Sequence, residues 1–209
     1  MMSAASAPLA WLHGRALEAI VIGGSAGVLD VLRVVLGALP AQLPIPVVVV
    51  VHLPEWSHSL LHQSLQFAST LPMSQPDDKE PLQGGHIYFA SPGYHLLIEA
   101  DHRAAVSIDE PVHYSRPSID VLFESASEAY GPALLGILLT GASADGAVGL
   151  QTIHERGGLT IVQSLDSCEA TVMPQSALDL FRPDHVLAPS AIAALLATLD
   201  TRASQAPGP

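Results

Sequence analysis

Three residues of types that together can open an acyl bond stand just beyond three apolar runs of the chain. Ser25 follows the run Leu17 to Ile22, His52 follows Pro46 to Val51, and Asp145 follows Ala133 to Leu139. A serine hydroxyl is a weak nucleophile and needs a base to take its proton. An imidazole titrates in the range where it can be that base. A carboxylate then fixes the imidazole tautomer and stabilises the imidazolium. The chemistry such a set would perform is hydrolysis through an acyl-serine.

Ser25 has a second property. It lies in Gly23-Gly24-Ser25-Ala26-Gly27, a glycine-rich turn with G-x-S-x-G spacing between a predicted strand and a predicted helix. Such a turn exposes the hydroxyl. It also directs the unpaired first N–H groups beyond the serine, Ala26 among them, toward a developing oxyanion. Taken singly, each residue has a plainer reading. Ser25 reads as a helix N-cap, His52 as a structural histidine after a strand, and Asp145 as the N-cap of a helix over 145–156.

The elements that must position these groups alternate. Strands are predicted at Leu17 to Ile22, Pro46 to Val51, Ala133 to Leu139, Leu159 to Gln163 and His185 to Leu187. Helices are predicted at Val28 to Leu39, Trp56 to Phe67, Pro117 to Tyr130, Asp145 to Arg156, Met173 to Phe181 and Ser190 to Leu199. The run Pro46 to Val51 is β-branched on both faces, as a strand covered by helices on both sides must be. The stretch Pro76 to Pro111 differs, with strand-like pieces at His86 to Ala90, His95 to Glu99 and Ala104 to Ile108. These are expected to form a small antiparallel excursion. The fold class expected is α/β, a doubly wound, mostly parallel sheet with helices on both faces. In such sheets ligands bind beyond the carboxyl ends of the strands, where Ser25, His52 and Asp145 stand. Residues 1–16 and 201–209 read as tails, and 17–200 as one catalytic domain.

Composition narrows the partners. The chain has 209 residues, 49% hydrophobic and 13% charged, with a formal net charge of -12 and only 8 lysines and arginines. Nucleic acid is not an expected partner, because the cationic surface that would neutralise phosphates is missing. Nor is membrane insertion, since the first apolar run is too short to span a bilayer and lacks a signal peptide's basic flank. One cysteine, Cys168, excludes an internal disulfide and fits a reducing cytoplasm. A metal-hydrolase reading rests on His58 and His62 at i, i+4 spacing, but the Glu of H-E-x-x-H is missing. A nucleotide reading of the glycine loop lacks both the first glycine of G-x-G-x-x-G and an acidic ribose ligand.

Six segments in order carry a resemblance. They are Val21-Ile22-Gly23-Gly24-Ser25-Ala26-Gly27, Val50-Val51-His52-Leu53-Pro54, the run from Gly84 to Gly93, the run from Ser115 to Phe123, the run from Leu139 to Ala147, and Met173-Pro174. Over residues 17–199 the chain resembles the catalytic domain of the chemotaxis protein-glutamate methylesterases, the CheB family. The resemblance implies Ser25 as nucleophile, His52 as general base and Asp145 as the orienting aspartate. It implies hydrolysis of glutamate γ-methyl esters on the cytoplasmic helices of chemoreceptors, with possible deamidation of receptor glutamine, and no metal or organic cofactor. It also suggests the Ala142 N–H as an oxyanion donor. Arg116 reads either as a residue orienting an acidic substrate loop or as a surface arginine at a helix start.

The departures are Gly24, Ala26 and Val28 where the family usually has Ala, Thr and Gly, and Ala142-Ser143 where it usually has Met-Gly. They bear on rate and substrate preference. The roughly 16 residues before the first predicted strand are too few for the family's receiver domain. Control by a separate regulatory protein, or constitutive activity, is therefore the expectation. The net charge opposes encounter with an acidic receptor helix. A different class of function, a non-catalytic binding module of a chemosensory complex, is motivated by the altered loop and opposed by the intact triad.

Overall fold

The computed structural model describes residues 16–52, 65 and 67–199. The predicted tails, Ala16 aside, and nearly all of the helix predicted at 56–67, His58 and His62 included, lie outside the described residues. Nine strands, five α-helices and two 3-10 turns are described. The order is β1 (Ala19–Gly24), α1 (Val28–Gly37), β2 (Val47–Val51), β3 (Met73–Ser74), β4 (Ile87–Phe89), β5 (His95–Ile98) and β6 (Ala104–Ser107). Then come α2 (Ile119–Tyr130), β7 (Leu134–Leu138), α3 (Ala147–Glu155), β8 (Leu159–Gln163), α4 (Val172–Leu180), β9 (His185–Leu187) and α5 (Pro189–Leu196).

Seven strands form one sheet in the order β3-β4-β2-β1-β7-β8-β9, and β5 and β6 pair separately. Every pairing in the large sheet is parallel, while β5 and β6 are antiparallel. The chain winds outward from β1 on one side through β2 and its neighbours, then returns to β7 on the other side. The winding reverses at β1, and that reversal is where an open α/β sheet opens its crevice.

The strand sequences explain this placement. Val47–Val51 is buried throughout and so is Ala19–Gly24. Alternate residues feed two cores. Ile20, Ile22, Val47, Val49 and Val51 pack with α1 and α5 on one face. Ala19, Val21, Val48 and Val50 pack with α2, α3 and α4 on the other. Each buried Val, Leu or Ile contributes roughly 1.5–3 kcal/mol relative to exposure, so both faces hold the sheet. Helix α1 buries Val28, Val31, Leu32, Val35 and Leu36 along one face.

The antiparallel excursion is smaller than expected. Ile87–Phe89 belongs to the parallel sheet, paired with β2 and β3, and only the hairpin of β5 and β6 is antiparallel. The physical reason is burial: all three residues of β4 are covered, Tyr88 by one core and Ile87 and Phe89 by the other. The turns at Gly84-Gly85 and Pro92-Gly93 had grouped this strand with the half-exposed hairpin. The two-residue β3 went unpredicted, being too short to show a period.

Candidate active site

Ser25 begins the turn after β1, His52 follows β2 directly, and Asp145 lies in the loop between β7 and α3. The backbone fixes their relative places. The Ser25 N–H donates to the Thr140 carbonyl at 2.9 Å, beyond β7, and the His52 N–H donates to the Gly24 carbonyl at 3.1 Å. The three strand ends predicted to share an edge do so, because β1 sits between β2 and β7.

Ser25 is not a side-chain cap. The N-cap of α1 is Gly27 at φ 75, and no side chain caps the helix. A glycine is needed there, since few side chains tolerate that conformation. Among the described residues the Ser25 hydroxyl has no hydrogen-bond partner. It opens with His52 onto a cleft of about 540 Å³ whose wall includes Arg33 and Glu169. The Ala26 and Ala142 N–H groups, the two oxyanion candidates, likewise donate to no protein acceptor among the described residues. Thr140 steadies this corner, with its Oγ1 3.0 Å from both the Ala26 and the Ala170 carbonyl. Gly141 is required by proximity: a Cβ there would come within 2.7 Å of the Met173 side chain.

Asp145 does cap a helix, but not the one that follows it. Helix α3 begins at Ala147 behind Gly146, whereas the Asp145 carboxylate sits at the N-terminus of α2. Its Oδ2 accepts from the Ile119 N–H at 2.7 Å. Its Oδ1 accepts from the Asp120 N–H at 3.0 Å and the Ser118 hydroxyl at 2.8 Å. The remaining partner is His52, whose Nε2 lies 2.7 Å from Oδ2. Asp145 is fully buried, while the His52 side chain is 12% exposed. Burial alone pushes the Asp145 carboxyl up. The His52 bond and the Asp120 and Ile119 N–H groups together outweigh it and hold the group below its ordinary value. The helix dipole adds in the same sense. An anionic Asp145 facing Nε2 requires a proton on that nitrogen, which leaves Nδ1 as the basic one.

In this structure Nδ1 lies 3.5 Å from the Ser115 hydroxyl. Ser115 belongs to a loop stapled by Arg116, whose Nη1 donates to the Ile108 and Asp109 carbonyls at 3.0 and 3.1 Å. So Arg116 spends hydrogen bonds on its own loop. Sequence reasoning missed Ser115, Ser118 and the α2 N-terminus as parts of the site. The available signal was Ser118 itself, a serine immediately before an apolar-periodic run, the usual mark of an N-cap. Its hydroxyl does accept from the Val121 N–H.

The comparisons with known proteins agree with one another. The family model described as CheB methylesterase matches residues 20–196. A Leptospira interrogans protein that carries the name protein-glutamate methylesterase/protein-glutamine glutaminase provisionally is 45% identical over 183 residues, covering 88% of this chain and 95% of that protein. The protein-glutamate methylesterase/protein-glutamine glutaminase of Archaeoglobus fulgidus is 37% identical over 164 residues, and there the match spans 47% of the relative's length. The crystal structure of the Thermotoga maritima CheB methylesterase catalytic domain superposes with a TM-score of 0.83 at 28% identity, covering 88% of this chain and 99% of that one.

Proposed function

Because the chain belongs to the CheB methylesterase family, we propose that it is a serine hydrolase removing methyl groups from glutamate γ-methyl esters of chemoreceptor cytoplasmic helices. Residues 17–200 form the catalytic unit, and the reaction takes place in the cytoplasm. Ser25 Oγ attacks the ester carbonyl as its proton passes to His52 Nδ1. The Ala26 and Ala142 N–H groups receive the tetrahedral oxyanion. Collapse returns the proton to the departing methoxide, and methanol leaves. A water, deprotonated by the same nitrogen, then opens the glutamyl-enzyme, freeing a glutamate carboxylate and restoring Ser25. A glutamine amide would follow the same path, releasing ammonia. Asp145 holds the imidazole in the tautomer with Nε2–H and offsets its positive charge. Arg116 acts through its loop, keeping Ser115 beside the base. A separate regulatory protein would act on this cleft from outside.

The observation that carries this reading is the 2.7 Å pairing of His52 with a buried Asp145 whose other bonds are already made, in the cleft that Ser25 opens. The test is release of labelled methanol from methylated receptor cytoplasmic fragments, with and without a chelator and beside Ser25→Ala. Release that needs Ser25 and ignores the chelator is the expected result.

A second reading, a non-catalytic binding module, draws on one observation: Ser25 makes no hydrogen bond to His52 among the described residues. It predicts that the protein binds the receptor fragment, releases no methanol, and binds equally well as Ser25→Ala.

A further inference from the structure

We infer that His95 is a positioning residue for the catalytic base, acting through Ser118 and Asp145. This rests on the reading of Asp145 and His52 as the general-base pair. His95 opens β5 and is only 2% exposed. A buried imidazole away from the reacting atoms needs both ring nitrogens satisfied, and here each has one partner. Nδ1 lies 3.2 Å from the Ser118 backbone nitrogen, and Nε2 lies 3.1 Å from the Glu110 carbonyl oxygen. A backbone N–H only donates and a carbonyl only accepts. Nδ1 is therefore bare and Nε2 carries the proton.

The consequence runs along a chain of contacts. Ser118 is the N-cap of α2, and its hydroxyl donates to Asp145 Oδ1 at 2.8 Å. Asp145 Oδ2 faces His52 Nε2 at 2.7 Å. His95 thus anchors the backbone of the residue that anchors the aspartate. Through Glu110 it also ties the loop carrying Ser115 to the same point. Without an acceptor at Nδ1, the Ser118 N–H is left buried and unpaired, and relieving it turns the N-cap away from Asp145. A buried unpaired donor of this kind is worth about tenfold or more in whatever equilibrium it controls. Here that equilibrium is the population of correctly aimed His52.

Two substitutions separate the two bonds of the ring. Asparagine places Oδ1 where Nδ1 stands and keeps the acceptor for Ser118. Glutamine places its amide nitrogen near Nε2, keeps the donor to Glu110 and loses that acceptor. On the methylesterase assay His95→Asn is expected to keep kcat within about threefold, and His95→Gln to lower it by about tenfold or more with KM little changed. The downfield proton resonance of the His52–Asp145 hydrogen bond should persist in His95→Asn and shift or broaden in His95→Gln. That signature does not require turnover, so it reads the positioning role even if Ser25→Ala proves as active as the parent and the proposed chemistry falls. Equal kcat and an unchanged downfield proton in His95→Gln would overturn the inference. So would histidine 15N spectra of the unsubstituted protein in which His95 carries a proton on Nδ1, a measurement that needs no variant to fold.

Discussion

Replacing Asp120 by asparagine should make the protein more stable at pH 8 and leave it nearly unchanged at pH 4. Asp120 is 4% exposed. Its Oδ1 accepts from the Gly149 N–H at 2.6 Å, and its Oδ2 lies 3.4 Å from His113 Nε2. Burial raises its pKa from 3.8 to about 6, with the Asp145 charge adding to the rise while Gly149 and His113 oppose it. A carboxyl raised on folding binds more protons in the folded state between those two values. Stability therefore falls as pH climbs through that window, and the full penalty is carried above it. At about 1.4 kcal/mol per pKa unit the penalty is about 3 kcal/mol. Asparagine keeps the acceptor for Gly149 and carries no charge. It gives up the attraction of an anion to a helix N-terminus, up to about 1 kcal/mol. The net gain at pH 8 is about 2 kcal/mol, or roughly 4 to 8 °C in Tm for a domain of this size. Asp145, whose pKa is depressed, gives the opposite slope at low pH, and removing the neighbouring Asp120 charge depresses it further, which adds to the gain of the variant above that range. Thermal unfolding followed by circular dichroism at the two pH values, supported by urea titration, is the assay. A Tm gain that is the same at both pH values, or a loss at pH 8, would refute the argument that a buried charge is what Asp120 costs.

Asp145→Asn should lower kcat/KM by about a thousandfold or more, because an amide cannot enforce the Nε2–H tautomer of His52; steady-state kinetics beside a fold check by circular dichroism would read this. Gly27→Ala should destabilise by about 1–3 kcal/mol, since it forces a side chain into φ 75 and into the Glu169 side chain; the urea midpoint measures it. Glu169 lines the cleft without an ion-pair partner among the described residues. On an acidic substrate segment, Glu169→Gln should therefore raise kcat/KM about two- to fivefold at low salt, and added salt should erase the difference.

Much of this was legible in the chain because burial on both faces leaves an unmistakable mark. Val47–Val51 could only be an inner strand, and Ala19–Gly24 running into glycines could only end at a turn. Those two strands, with β7, place Ser25 and His52 almost by themselves. What the chain hid was contact between elements far apart in sequence. Asp145 reads locally as the cap of its own helix, and nothing near it announces that its oxygens reach Ile119 and Asp120 instead. Met73–Ser74 is too short for periodicity to act on. Ile87–Phe89 carried the burial of an inner strand, but the turns around it looked like a hairpin's. His95 is one more polar residue in a short strand until Ser118 and Glu110 are brought to it.

The position of β1 between β2 and β7 also decides when the residues of the proposed site can meet. Ser25 and His52 come from the first quarter of the chain, and the Asp145 carboxylate that faces His52 comes from well past its middle. The strand that gathers them has one neighbour from each part. On the proposed roles, a chain still being synthesised therefore carries Ser25 and His52 long before Asp145 exists, and the helix whose N-terminus holds that aspartate is likewise made later. With those roles hydrolytic competence would arrive only when the second part of the sheet docks, and an unfinished or half-folded copy would be no stray esterase.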